Sequence, residues 1–185
     1  FLMYSGDGII SLESAAEFPV RLIESGPAGG AVFAAKIAKI YQIKNTLSFD
    51  MGGTTAKICL IKNQRPKTSR VFEVARSYRF KKGSGMPISI PVIDMVEIGA
   101  GGGSLAHVDN LQQIRVGPRS AGSNPGPACY DLGGDQPAVT DADLILGKLD
   151  EKNFAGGSIK LNKIASKAAL DLNIGKKLTM STRTA

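Results

Sequence analysis

The sequence predicts an α/β (α+β) fold in which an antiparallel β-meander is packed by helices. Three stretches carry that expectation. "SGPAGGAVFAAKIAKIY" reads as one helix, and "NTLSFDMGGTTAKICLIK" as two strands around a paired-glycine turn. "VFEVARSYRF" alternates apolar and polar residues with the period of a strand. The chain has 185 residues, 43% of them hydrophobic, enough for one domain with its own core.

In chain order, residues 1–24 are expected to be irregular, with short strands around 8–10 and 20–23. A helix follows, with Ser25 as N-cap and Pro27 in its first turn. From 28 to 41 its only charges are Lys36 and Lys39, three apart on one face, so it is expected to be largely buried. Alanine and glycine on its packing side permit close approach to a sheet. Strands at 46–50 and 56–62 are spaced as an antiparallel pair. A third antiparallel strand is expected at 71–80. There Phe72, Val74, Tyr78 and Phe80 share one face and Glu73, Ser77 and Arg79 the other, with Arg76 intruding on the apolar side.

"KKGSGMP" reads as a mobile loop and 88–98 as extended chain broken by Pro91. "GAGGGS" makes a second glycine turn before a strand at 105–108, which 114–116 is expected to pair with across "DNLQ". "GPRSAGSNPGPACYDLGGDQPAV" is too rich in Gly and Pro to be regular. Thr140 and Asp143 have capping-box spacing and open a helix through Leu149. Another helix is expected over 162–172, with Leu161, Ile164, Ala165, Ala168 and Leu172 on one stripe.

Composition excludes several classes of function. The apolar stretches fall far short of the ~20 residues that span a bilayer, and the opening "FLMYSGDG" is not a secretory signal. The net charge of +7 comes from scattered lysines and arginines that occur at most in pairs, with no interleaved aromatics. Neither a membrane nor a nucleic acid is therefore an expected partner. Cys59 and Cys129 lack metal-ligand or C-x-x-C spacing, which points to a reducing, cytoplasmic compartment. Cys59 is expected to be a small core residue, and Cys129 to serve packing or loop closure. A first residue of Phe, and an end in "KKLTMSTRTA" with no stop signal, lead to the expectation of a piece cut from a longer protein.

The turn at 50–55 is where chemistry is expected. Gly52 and Gly53 let the backbone approach an anion and turn N–H groups toward it, while Thr54 and Thr55 add hydroxyl donors. Asp50 precedes them at the end of a strand expected to be buried. It would repel a bare phosphate but suit one bridged by Mg²⁺, held through a water. The group fits a nucleotide–metal complex better than a free anion. Asp94 and Glu97 lie three apart in extended chain and so do not form an acid pair. His107, the only histidine, has no partner in sight to orient it as a base. Asp141 and Asp143 are expected at a helix N-terminus.

With its preceding Ala/Gly helix, "SFDMGGTTAK" resembles the second phosphate-binding segment of the actin-like ATPase superfamily. "LIESGPAGGAV", "SFDMGGTTAK", "MVEIGAGGGSLAHVD", "RVGPRSAGSNPGPACY" and "VTDADLILGKLD", in that order, closely resemble the core of the hydantoinase A / 5-oxoprolinase (N-methylhydantoinase) family. The resemblance covers about residues 15–155. It implies one lobe of a duplicated ribonuclease H-like, actin-like ATPase, with 1–24 leading in from a missing upstream lobe. Residues 25–155 would then be the lobe core, and 156–185 a truncated helical segment.

The implied function is ATP-dependent hydrolysis of a cyclic amide, with ATP and Mg as cofactors. A hydantoinase B-type subunit or domain is the implied partner, and the isolated chain would be inactive. Asp50 would act through the metal, Gly52, Gly53, Thr54 and Thr55 would hold phosphate, and Gly101, Gly102 and Gly103 would add N–H donors or let the backbone bend. The same motifs serve ATP-using subunits of acetone-type ketone carboxylases, and a non-catalytic nucleotide-binding scaffold is a third possibility. Lys57 stands where many of that family carry Asp, and is expected to point to solvent.

Overall fold

The computed structural model describes residues 1–75, 77 and 83–184. It has two units: Phe1–Asp50 with Lys57–Glu97, and Met51–Ala56 with Ile98–Ala185.

In the first unit, β1 (Leu2–Met3) pairs antiparallel with β2 (Ile9–Ile10). The next element is a helix, α1 (Leu12–Glu17), capped by Ser11, whose hydroxyl accepts the Ser14 N–H at 3.2 Å. The expected strand at 20–23 is instead a 3₁₀ turn, Pro19–Leu22. Proline at its start presets a helical φ, which two apolar residues without a period cannot outweigh.

α2 (Ser25–Ile40) begins one residue earlier than expected. Glu24 occupies the cap position in the left-handed region (φ 64°) with no side-chain cap, so Ser25 lies inside the helix. Ala28, Ala31, Ala35 and Ala38 form one buried stripe. The first three pack against Cys59, Ile61 and Ile93. Phe33 and Ile40 on the same helix are exposed, so burial is confined to the small-residue stripe.

β3 (Asn45–Met51) and β4 (Ala56–Lys62) are neighbours in a sheet of order β10-β4-β3. Four connecting residues are too few for a parallel crossover, so the pair is an antiparallel hairpin, as expected. β3 lies at the sheet edge with Leu47 and Phe49 exposed, and Asp50 thus ends an exposed strand rather than a buried one.

β5 (Arg65–Pro66) folds back on β4 through Asn63 and Gln64, both at positive φ. β6 is Thr68–Ser69, β7 Phe72–Val74, β8 Met86–Ile88, β9 Val92–Ile93 and β10 Met95–Ile98. β6 pairs with β9 and β7 with β8, both antiparallel. The expected third meander strand is therefore not beside β4; β10 takes that place. Pro66 offers no N–H to extend a ladder, and Ala75 at φ 51° follows β7. The rest of that expected strand (Arg76, Tyr78, Arg79 and Phe80) and the lysines of "KKGSG" lie outside the described residues.

In the second unit, β11 (Ser104–Val108) and β12 (Ile114–Ser120) pair antiparallel, with His107 opposite Arg115 and a bulge between Ser104 and Ala106. The strand expected at 114–116 thus continues into the Gly/Pro-rich stretch. The remainder of that stretch is irregular apart from a 3₁₀ turn at Ala128–Tyr130.

α3 (Val139–Ile145) stops before Leu149, with Gly147 at φ 74° just past its end. Its N-cap is Ala138, and the carboxylate that caps is Asp141; Thr140 and Asp143 do not form the expected box. α4 (Lys163–Leu170) is capped by Asn162, whose amide oxygen accepts from the N–H groups of Ile164 and Ala165. It continues through a π turn (Asp171–Gly175) into α5 (Lys176–Leu178).

The expected α4 stripe is corrected. Ile164 and Leu172 are exposed, and the buried positions are Ser166, Ala169, Leu170 and Ile174. Ser166 is drawn inward by a hydrogen bond to Asp141, which fixes the helix's rotation. Cys129, Leu144 and Leu161 form the core here, with Tyr130 and Phe154 rings 5.8 Å apart at its margin.

Candidate functional site

The two glycine turns predicted from the sequence meet within the second unit. Gly52 N–H donates to Thr55 O at 2.9 Å and closes the first turn. The second turn lies against it: Gly102 N–H donates to Gly52 O at 2.8 Å, and Gly103 N–H to Gly53 O at 2.7 Å. Only glycine fits at 101, because a Cβ there would lie 2.6 Å from Gly52 O, Thr54 C and Thr55 N. The third amide of the run, Gly101 N–H, donates to Ser104 Oγ at 2.9 Å.

This geometry divides the labour. The amides of Gly101, Gly102 and Gly103 are engaged inside the protein, and their run supports the first turn. By contrast, the N–H groups of Gly53, Thr54 and Thr55 and both threonine hydroxyls have no acceptor among the described residues. Gly53 has no atom within 4 Å of where its Cβ would be. The turn thus keeps three consecutive backbone donors unused among the described residues, with open space beside Gly53, as an anion site requires.

Asp50 belongs to the first unit, at the second-last position of β3, and its carboxylate is exposed. α2 passes near it, since a Cβ on Gly30 would stand 3.9 Å from Asp50 Oδ2. Lys57 does not point to solvent. Its ammonium pairs with Glu24 at 2.5 Å and reaches Glu97 at 3.8 Å, and its side chain is 17% exposed. The left-handed residue before α2 brings Glu24 to it, a contact that no local spacing announces. Asp94 pairs separately with Lys67, so Asp94 and Glu97 do not act together. His107 is exposed on β11.

Sequence reasoning missed the residues that hold the second turn. Gly102 O accepts twice from Thr140, from its N–H at 2.9 Å and its Oγ1 at 2.8 Å. Next to it, Asp141 is fully buried and accepts four hydrogen bonds. They come from Ala128 N–H (3.1 Å), Cys129 N–H (2.7 Å), Ala138 N–H (2.8 Å) and Ser166 Oγ (2.7 Å). One carboxylate therefore ties the irregular loop to α3 and α4. Burial, reinforced by the Asp141 charge, pushes the Cys129 thiol up to about 12. It stays protonated near neutrality and packs rather than attacks. The one available signal was the pair of polar residues, Thr140 and Asp141, at the start of an apolar helix.

The chain matches the hydantoinase/oxoprolinase family over residues 1–185. It belongs to that family. It is 48% identical over 172 residues to an uncharacterised protein of Methanocaldococcus jannaschii, covering 91% of this chain and 25% of that one. It is 41% identical over 178 residues to the caprolactamase subunit alpha of Pseudomonas jessenii, covering 96% and 24%. The solved ATP-dependent caprolactamase of that organism matches with a TM-score of 0.66, 39% identity, and coverage of 89% and 23%. Nucleotide-free acetone carboxylase, from work on ATP-dependent acetone carboxylation, matches with a TM-score of 0.72 at 29% identity, covering 98% and 24%. The chain spans about a quarter of the length of these relatives. No described helix is long and apolar enough to cross a membrane.

Proposed function

We propose that this chain is the phosphate-holding part of an ATP-dependent cyclic amide hydrolase, within one lobe of an actin-like ATPase. The observation that carries the reading is the first glycine turn, where the N–H groups of Gly53, Thr54 and Thr55 and the hydroxyls of Thr54 and Thr55 have no acceptor among the described residues and the space beside Gly53 is open. Such donors suit phosphate oxygens and stabilise charge without reorganising. When bound, ATP would supply a phosphoryl group able to activate a poor amide electrophile. The chain's own residues would orient it and neutralise its charge.

Asp50 is the residue we assign to Mg²⁺. Exposed near the end of β3, its carboxylate would hold the metal through a water. Substrate-side groups would come from the rest of the protein and from a second subunit, in keeping with a relative named as a subunit. A ketone carboxylase subunit is the second reading, favoured by the near-complete coverage of this chain by acetone carboxylase.

The deciding experiment measures phosphate release from Mg-ATP by the full-length protein with its companion subunit. Stimulation by hydantoin, 5-oxoproline or caprolactam is expected; stimulation by a ketone with bicarbonate would favour the second reading, and neither would refute both. Asp50→Asn is expected to abolish turnover with the fold intact, and unchanged activity would remove Asp50 from the mechanism.

A further inference from the structure

The hydrogen bonds between the glycine turns run through shared peptide groups. Gly102 O and Gly103 N–H belong to one peptide unit. The oxygen accepts both donors of Thr140, and the N–H donates to Gly53 O. Gly53 O in turn shares its peptide unit with Thr54 N–H, which has no acceptor among the described residues. A parallel run starts at Ser104 N–H, which donates to Gly101 O at 2.9 Å. It passes through Gly102 N–H to Gly52 O and ends on the free Gly53 N–H.

Chained hydrogen bonds polarise one another, so a donor at the end of a chain is stronger than an isolated one. The two runs also leave the first turn no freedom to rotate its carbonyls outward and its amides inward.

From this we infer that Thr140 is a positioning residue for the phosphate turn. By gripping Gly102 O with both donors, it sets the direction and strength of the Thr54 N–H through the 102–103 and 53–54 peptides. Its side chain is nearly buried, and its hydroxyl donates to the backbone of the second turn rather than capping α3. This assignment rests on the phosphate reading above, but the hydrogen-bond relay can be tested without nucleotide.

Two measurements on the full-length protein separate the cases. The first is site-resolved amide exchange in Thr140→Val, which keeps the shape and the backbone donor, and in Thr140→Ser, which keeps the hydroxyl. Exchange at Gly103 is expected to accelerate about tenfold in the valine variant, the equivalent of about one hydrogen bond, and less than twofold in the serine variant. The second is Mg-ATP titration by calorimetry. The valine variant is expected to bind roughly tenfold more weakly, and serine to restore affinity.

Unaltered Gly103 exchange in the valine variant, or a serine variant as impaired as valine, overturns the relay. Altered exchange with wild-type affinity overturns the positioning role. A wild-type protein that fails to bind Mg-ATP overturns the phosphate reading and with it that role, while the exchange result still decides the relay.

Discussion

Replacing Asp141 by Asn keeps size and shape and changes only what the buried side chain can accept. In the native arrangement Oδ1 accepts from Cys129 N–H and Ser166 Oγ, and Oδ2 from Ala128 N–H and Ala138 N–H. With the amide nitrogen in the Oδ2 position, two backbone donors would face a donor. Placed at Oδ1, it faces Cys129 N–H and the Ser166 hydroxyl, which can rotate to accept. The second orientation is therefore the one adopted, and it leaves the Cys129 N–H with no acceptor, facing the second amide hydrogen.

That omission costs roughly 1–3 kcal/mol, and weakening of the remaining charge-assisted bonds about 1 kcal/mol more. The sum, about 2–4 kcal/mol, corresponds to roughly 30- to 700-fold faster exchange of protected amides. Hydrogen exchange with mass spectrometry, read on peptides covering 126–142, measures it in the full-length protein. A change below threefold would show that the carboxylate does not hold the loop to α3 and α4.

Three further sites carry expected outcomes. Cys129 should resist alkylation in the folded protein at pH 8–9 and react on unfolding; rapid modification of the native state would contradict its raised pKa. Because the folded thiol keeps its proton up to about 12 while the unfolded thiol loses it near 9.0, its contribution to stability is complete below pH 9. It falls as pH rises towards 12, by at most about 1.4 kcal/mol per pH unit, and a Cys129→Ala comparison isolates that slope. Gly101→Ala should lower the melting temperature, at a cost of about 1–3 kcal/mol, because its Cβ would meet backbone atoms that cannot move independently; an unchanged melting curve would deny the close approach of the turns. A double-mutant cycle of Lys57→Met with Glu24→Gln should give a coupling of about 1 kcal/mol for this partly buried pair, whereas zero coupling would make the contact incidental.

Local signals were legible where one segment carries its own instruction. The β3–β4 hairpin follows from strand-forming residues around Gly52–Gly53, and α2 from Pro27 in its first turn and charges confined to one face. The five ordered blocks identified the family. What escaped depends on distant segments. Lys57 looks like a solvated lysine until the left-handed backbone at Glu24 brings a carboxylate to it. The 162–172 stripe was assigned by hydrophobicity, but a serine's hydrogen bond to Asp141 sets the helix rotation. The third meander strand obeyed period-two alternation, yet Pro66 and the positive φ of Ala75 interrupt the chain on either side. Within the candidate site the first turn could be read directly. Thr140, 38 residues beyond Gly102, could not.

The most direct measurement is calorimetric titration of the full-length protein and its Gly53→Ala variant with Mg-ATP. Open space surrounds the Gly53 Cβ position, so the substitution should leave the melting temperature unchanged, and the added methyl would stand where a phosphate must approach. The account predicts binding by the unsubstituted protein and an affinity at least tenfold lower in the variant, about 1.4 kcal/mol or more. Equal affinities, or no binding by the unsubstituted protein, would contradict it.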